Sequence, residues 1–422
     1  MKNPYLSALM GLLILMMAAC SGAEEEIIDE DPTDEEETDP EVQTPTFDIL
    51  AFDFAVKDSY QVTGETTIEL SFDQGTSWKP PFDTALESGS SIWARVINSE
   101  LGITEDNFNI DWSGSSVEPI EVVDNIAKFV LDEDDILIDL EIEVLFRLIV
   151  SGLDDEGFEG GLYELNLADA SKTLLSDSID YTAESMGYDS EDNVLYFVRD
   201  GGQMAFRDLI GQFDLVTKKS SLFYSGEDIA GGTSCNGWND ARGVEVLGEE
   251  VLAVGSCEGD DIFYFSQSSG ESTSTPELSR NTGVANVSVD LRGGMCINSS
   301  KTDLLLGVQQ SDFRDGQNPI YTYGFITNKI SGEYVGFTAL DFSETSSIPE
   351  SFDYITDMTM TPSGTLYAII ESTSNPTSGP VQYLVTIDPS NGKVSDIGVL
   401  SEYSRSLTRL YGLTYVPKYA IE

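Results

Sequence analysis

From Phe47 to about Gly157, apolar and polar residues alternate with a period of two in short runs, each bounded by Gly, Asn, Asp or Ser. The runs Thr66–Leu70, Ile92–Val96, Phe108–Trp112, Ala127–Leu131 and Leu145–Val150 are the clearest, and Ala55-Val56 is shorter. Six strands in about a hundred residues predict a small β-sandwich over 47–157, each strand turning one face to a common core.

From residue 158 onward the pattern recurs every 40 to 60 residues or so, as stacked four-stranded units do. The clearest copy runs from Ile355 to Leu400. It reads as strand Ile355–Met360, turn Thr361–Gly364, strand Thr365–Ile370, strand Tyr383–Asp388, turn Pro389–Gly392 and strand Val394–Leu400. Pro and Asn-Gly at these corners supply the backbone angles of tight turns. Weaker copies span Ser185–Tyr224, begin again at Gly243, and span Met295–Phe337. Leu410–Val416 matches only an innermost strand. Its missing partners, Gly161–Leu167 and Lys172–Leu175, lie at the other end, so a ring closed by strands from both ends would leave no exposed sheet edge.

Residues 383 to 394 resemble the Leu-Tyr-x-Ile-Asp-Pro-x-x-Gly-x-Val repeat of bacterial surface β-propellers. The resemblance implies a propeller over 158–422 with about five blades, or six if Gln267–Val289 holds additional strands. The run from Phe129 to Asp134 and then Leu145 to Asp155 resembles the closing strands of a bacterial immunoglobulin-like module. The fold class is therefore all-β: an N-terminal Ig-like β-sandwich followed by a propeller.

The first 46 residues follow different rules. Lys2, the apolar stretch Leu6–Met17 and the small residues Ala18-Ala19 precede Cys20, a pattern that resembles a lipoprotein signal peptide over 1–20. The resemblance implies a lipid on Cys20 and a membrane partner reached through it. Residues 21–46 carry twelve acids between Glu24 and Glu41, with Pro32, Pro40 and Pro45 among them. So much charge with so little apolar surface predicts a disordered, extended tether. Acids directly behind a lipidated Cys also resemble the signal that sends some lipoproteins to the exterior of the outer membrane, which implies a lipid-anchored protein at the cell surface.

Charge and composition narrow the function. There are 75 Asp and Glu against 21 Lys and Arg, for a net charge of −54. Without the tether's twelve acids the balance is −54 + 12 = −42, so the folded part is itself acidic. Nucleic acid is excluded as a partner, because no basic stripe exists to displace phosphate counterions. Dispersed carboxylates suit a salty environment better than one cation-binding face. The chain has no His, which removes His-dependent nucleophilic catalysis and imidazole zinc sites. A metal site would consist of oxygen ligands and would take Ca²⁺.

With Cys20 lipidated, Cys235, Cys257 and Cys296 remain. In a propeller, the loop entering an innermost strand and the loop joining the second and third strands open on the same face. Cys235 falls in the first kind of loop and Cys257 in the second, so a Cys235–Cys257 disulfide is the expected pair, with Cys296 a buried thiol. Trp238, Asn239, Asp240 and Arg242 occupy the same loop and offer a flat apolar face ringed by hydrogen-bonding groups, the chemistry that orients a sugar or another flat ligand. Arg199, Arg207, Phe313 and Arg314 fall in neighbouring loops. Asp312, Asp315 and Asn318 bring oxygen ligands, and Gly316 a turn, although the run lacks a full calcium-binding loop.

These features favour a non-catalytic binding protein at the cell surface that captures a glycan or small nutrient, beside an outer-membrane transporter. A structural or adhesive surface protein is the alternative. A carboxylate-dependent carbohydrate-active enzyme is the third reading, but nothing in the sequence selects a catalytic pair among 75 acids.

Overall fold

The computed structural model describes residues 46–48, 51–52, 66–80, 85–87, 89–130, 137–138, 141–153, 160–179, 183–199, 209–224, 239–256, 260–270, 272–274, 287–312, 320–345, 348, 354–372, 381–402 and 410–420. The ten N-terminal strands are β1 (Thr46–Asp48), β2 (Ala51–Phe52), β3 (Thr66–Ser71), β4 (Ala85–Glu87), β5 (Ser91–Asn98), β6 (Phe108–Asp111), β7 (Glu121–Val123), β8 (Ile126–Val130), β9 (Leu137–Ile138) and β10 (Glu141–Val144). The main sheet has the order β3-β5-β8-β7, and β10 pairs with β6. Alternation sets the core here: Ile92, Ala94 and Val96 of β5 and Ala127 and Phe129 of β8 face inward. There they meet Phe108, Trp112, Ile142 and Val144, so the two sheets share one apolar interior.

The next twenty strands form five antiparallel sheets of four. The chain passes through β11 (Phe146–Leu153), β12 (Gly160–Leu165) and β13 (Lys172–Ile179), then β14 (Ala183–Asp189), β15 (Val194–Arg199), β16 (Leu209–Asp214) and β17 (Lys219–Tyr224). It continues as β18 (Asn239–Leu247), β19 (Glu250–Ser256), β20 (Asp260–Ser266) and β21 (Ser272–Ser274), followed by β22 (Val287–Ile297), β23 (Asp303–Asp312), β24 (Ile320–Lys329) and β25 (Tyr334–Ala339). The last sheet contains β26 (Tyr354–Met360), β27 (Leu366–Ser372), β28 (Val381–Ile387) and β29 (Val394–Glu402), and β30 (Leu410–Pro417) returns to the first, whose order is β13-β12-β11-β30.

Strands wedged between neighbouring sheets are apolar on both faces, which is why β27 is buried at every position. The outermost strand β25 keeps no fully buried residue, because its far edge meets water. Five apolar clusters fill the five seams between blades. Phe197 and Val416 mark the seam between blades one and two, Tyr196 and Phe265 that between two and three, and Leu252 and Leu306 that between three and four. Leu305 and Val385 mark the seam between four and five, and Ile369 with Leu413 joins blade five to blade one. Five seams for five sheets make a closed ring.

Two expectations change. The run Leu145–Val150, read as part of the sandwich, belongs to β11 and pairs with β12 and β30 inside the ring. The first blade therefore begins at Phe146, just one residue after β10 ends, and not at residue 158. The stretch 267–289 does not add a sixth blade among the described residues; it supplies β21 to the third blade and the start of β22 to the fourth.

The two parts touch through the C-terminus. Tyr419, in the 3-10 turn Lys418–Ala420, stacks on Phe108 with ring centroids 5.8 Å apart and also packs against the seam between blades one and two. Leu145 joins the two parts by donating its N–H to Asn107 O and accepting that of Lys418.

Candidate functional site

Strand direction assigns the loops to two faces. Loops joining the second and third strands of a blade, and those entering the innermost strands, emerge together, while the short hairpins turn on the opposite face. Of the predicted ligand-binding and metal positions, those among the described residues fall at strand ends on the loop face. Arg199 ends β15, Asn239, Asp240 and Arg242 open β18, and Asp312 ends β23, so three consecutive blades contribute. Asn239 pairs with Ser256, which brings the start of β18 beside the end of β19. Cys20, Arg207, Cys235, Trp238, Cys257, Phe313, Arg314, Asp315 and Asn318 lie outside the described residues. Among the described residues, no group of three Asp, Glu or Cys is placed to hold a metal ion.

The centre of the ring holds polar residues that the sequence did not flag. The innermost strand of each blade leaves one backbone edge facing the axis, and those N–H and C=O groups need partners. Buried side chains supply them for β30. Gln382 accepts from Leu410 N at 2.8 Å and donates to Leu410 O at 2.7 Å; Ser151 Oγ accepts from Gly412 N at 3.1 Å; and Asp357 Oδ2 accepts from Leu413 N at 2.6 Å. Ser185 Oγ donates to Asp357 Oδ1 at 3.2 Å and accepts from Val244 N at 3.2 Å. Asp357 thus ties β26 to β30 and β14, and Ser185 extends the chain to β18.

This convergence requires small residues. A Cβ on Gly187 would lie 2.7 Å from the Cα of Glu245, and one on Gly294 would lie 2.8 Å from the Cα of Asp357. Backbone at those seams occupies the space a side chain would need.

On the hairpin face the axis opens into a cavity of about 140 Å³, lined in part by Tyr188, Asp189, Glu245, Asn298, Lys301 and Tyr415. Glu245, on β18 of blade three, is half-buried where it lines this cavity. Burial, and then the Asp357 charge, push its carboxyl well above the usual range. Asp189 is held by Gln267 Nε2 at 3.0 Å and by Glu191 N at 2.9 Å, and burial raises its carboxyl. Tyr188 donates to Asn193 Oδ1 at 2.8 Å, and burial pushes its phenol up. The Cys296 thiol is fully buried and is pushed up first by burial, then by Glu245 and Asp357. Pockets that enclose organic ligands measure roughly 300–1,000 Å³; this one has room for a few waters.

An all-β ring of five four-stranded blades, closed by a C-terminal strand, defines the protein as a five-bladed β-propeller. No protein-family model matches the chain, and no curated protein matches it either. Solved structures similar to it include a chain of a nidogen/laminin complex, at 14% identity over 64% of this chain and 98% of that one, with a TM-score of 0.35. TolB from Acinetobacter baumannii is similar at 11% identity over 65% of this chain and 67% of its own, with a TM-score of 0.36. A putative 6-phosphogluconolactonase from Bacteroides uniformis is similar at 12% identity over 60% of this chain and 82% of its own, with a TM-score of 0.31. These distant likenesses carry nothing about activity, and the propeller rests on its own strand pairing.

Proposed function

We propose that the chain is a lipid-anchored binding protein of the outer cell surface, without catalytic activity, whose propeller presents its loop face to a glycan or small nutrient. The observation that carries this reading is the gathering of Arg199, Asn239, Asp240, Arg242 and Asp312 at the loop-bearing ends of three successive blades. The opposite face supports it by contrast, since it is built from short hairpins around a cavity too small for a sugar. The N-terminal sheets, in the Ig-like reading, act as a pedestal between tether and ring. Cys20 takes the lipid, residues 21–46 form the tether, and an outer-membrane transporter is the partner that would receive a captured nutrient.

A thermal-shift screen of residues 47–422 against glycans and small metabolites, with and without Ca²⁺, tests the reading. A saturable rise in Tm that Trp238→Ala and Arg242→Ala abolish is the expected result. No rise with any compound overturns capture and leaves the structural or adhesive role. Turnover of a glycan that raises Tm would favour the enzyme reading instead.

A further inference from the structure

The main N-terminal sheet has two faces of different character. Inward, alternate residues of β5 and β8 are buried, and Trp112 joins them, edge-on to Phe129 with ring centroids 5.8 Å apart. Outward, Trp93 and Arg95 of β5, Lys128 of β8 and Glu69 of β3 remain half-buried, because a strand sends successive side chains to opposite sides. Cross-strand register sets Trp93 opposite Lys128 and Arg95 opposite Glu69. Trp78 reaches the same face from a segment paired with the edge of β3, where Leu70 and Lys79 exchange backbone hydrogen bonds of 2.7 and 2.9 Å. Asp73 braces the turn before it by accepting Ser77 N–H at 2.8 Å and the Ser77 hydroxyl at 2.6 Å. Two of the chain's four Trp thus stand on one solvent-facing surface.

Each of these two indoles carries a cation. The Arg95 guanidinium carbon lies 4.4 Å from the centre of the Trp78 ring, and Lys128 Nζ lies 5.0 Å from that of Trp93. Arg95 directs Nε and one Nη to the same Glu69 oxygen, at 2.9 and 2.6 Å, and its other Nη stays available. Lys128 makes no ion pair with a described carboxylate, although Glu121 stands opposite it on β7. Among the described residues, neither indole N–H has an acceptor. Indole, guanidinium and ammonium are all donors that accept nothing. The surface therefore offers donors and positive charge beside flat apolar rings, in a chain whose net charge is −54.

A sugar acid matches both properties, since the C–H side of its ring can lie on an indole while its carboxylate takes the donors alongside. A phosphate headgroup brings the charge without the flat apolar side. A neutral sugar brings that side without the charge. We propose that the outward face of this sheet binds an acidic polysaccharide of uronic-acid units, with Trp78 and Trp93 as stacking surfaces and Lys128 and Arg95 as carboxylate donors. The N-terminal sheets then hold a ligand of their own, on different elements from the loop face of the ring.

The experiment is a titration of the full-length protein with oligogalacturonate in about 0.5 M NaCl, where repulsion between two polyanions is screened within several ångström. Calorimetry and indole fluorescence follow the binding. Saturable binding with a shift in indole emission is the expected result, weakened about tenfold or more by Trp93→Ala and by Lys128→Glu, and less by Lys128→Arg, which keeps the charge. Lys128 lies on the solvent side of β8, so its charge reversal leaves the core intact and decides the case if Trp93→Ala does not fold. No binding of oligogalacturonate overturns the proposal, as does an affinity that Lys128→Glu leaves unchanged. Equal affinity for neutral dextran, or binding to phosphatidylglycerol vesicles in place of oligogalacturonate, also overturns it. The loop-face reading is tested through Trp238 and Arg242 and this one through Trp93 and Lys128, so either can fail alone.

Discussion

At Lys218 the backbone adopts φ 54°, a left-handed conformation that costs a non-glycine residue about 1 kcal/mol. The same position recurs in every outer hairpin of the ring: Ala170, Lys218, Gly270, Gly332 and Gly392 have φ of 57°, 54°, 67°, 90° and 78°. Three blades use Gly and two do not. Lys218 is exposed, so Lys218→Gly should stabilise by about 0.5 kcal/mol once the added freedom of the unfolded chain is subtracted. Urea unfolding measures that change. Ala170 is 2% exposed and packs in the seam between blades five and one, so Ala170→Gly sacrifices a buried methyl and should give no gain. Gly392→Ala should destabilise by about 2 kcal/mol or more, because its Cβ would fall 1.9 Å from Ala339 O. The turn at Pro389–Gly392 was legible because Asn-Gly carries the conformation in its chemistry. The turns at Ala170 and Lys218 were not, since neither residue signals φ above zero. Asp357 escaped notice for a similar reason: one acid in the strand Ile355–Met360 reads as a solvent-facing position until its neighbours converge on it.

At the scale of elements, the closing strand β30 was legible and its first partner was not. Leu410–Val416 reads as an innermost strand without a blade, and Gly161–Leu167 and Lys172–Leu175 do share its sheet as β12 and β13, with β11 between them and β30. The period-two pattern of Leu145–Val150 identifies a strand, but sheet membership depends on pairs such as Leu148 with Tyr415, far apart in sequence. A boundary with no Gly, Pro or charge run, only Leu145 between β10 and β11, leaves no compositional mark. The register also bears on the cysteines. Asn239 pairs with Ser256, four residues beyond Cys235 and one before Cys257, within the span a disulfide and a short segment bridge. Alkylation without reductant should therefore label Cys296 alone, and only after unfolding, since that thiol is buried. Reduction should destabilise by about 3 kcal/mol, measured by denaturant melts with and without reductant. Two further thiols labelled in the native state would remove the bridge.

At the scale of the whole molecule, part of the acidity has a structural use. Asp169 and Asp388 accept first the hydroxyl and then the backbone N–H of Ser171 and Ser390, and Asp214 accepts the backbone N–H of Thr217, and those bonds hold the three carboxyls below the usual range. Asp73 is pulled down to about 2 by Ser77 and Ser71 in the same way. Groups lowered on folding stabilise above the unfolded value, near pH 4, and lose that contribution as pH falls. Stability should therefore fall as pH drops below about 4, which melts across an acid series measure. Most of the 75 acids still lack a cation, because the chain has 21 to offer, and a folded part near −42 repels itself. Salt should relieve this by screening. As ionic strength rises from 0.01 to 1 M, the Debye length contracts from about 30 to about 3 Å. Tm should climb smoothly over that range, equally for NaCl and KCl, and level off once the screening length falls below the spacing of neighbouring carboxylates. Site binding has a different shape. If the loop carrying Asp312, Asp315 and Asn318 holds Ca²⁺, Tm should rise saturably at Ca²⁺ concentrations too low to change ionic strength, and a chelator should reverse the rise. A smooth salt curve with no separate Ca²⁺ step assigns the acidity to solvation, whereas a step that Asp312→Asn removes assigns part of it to a cation site on the loop face.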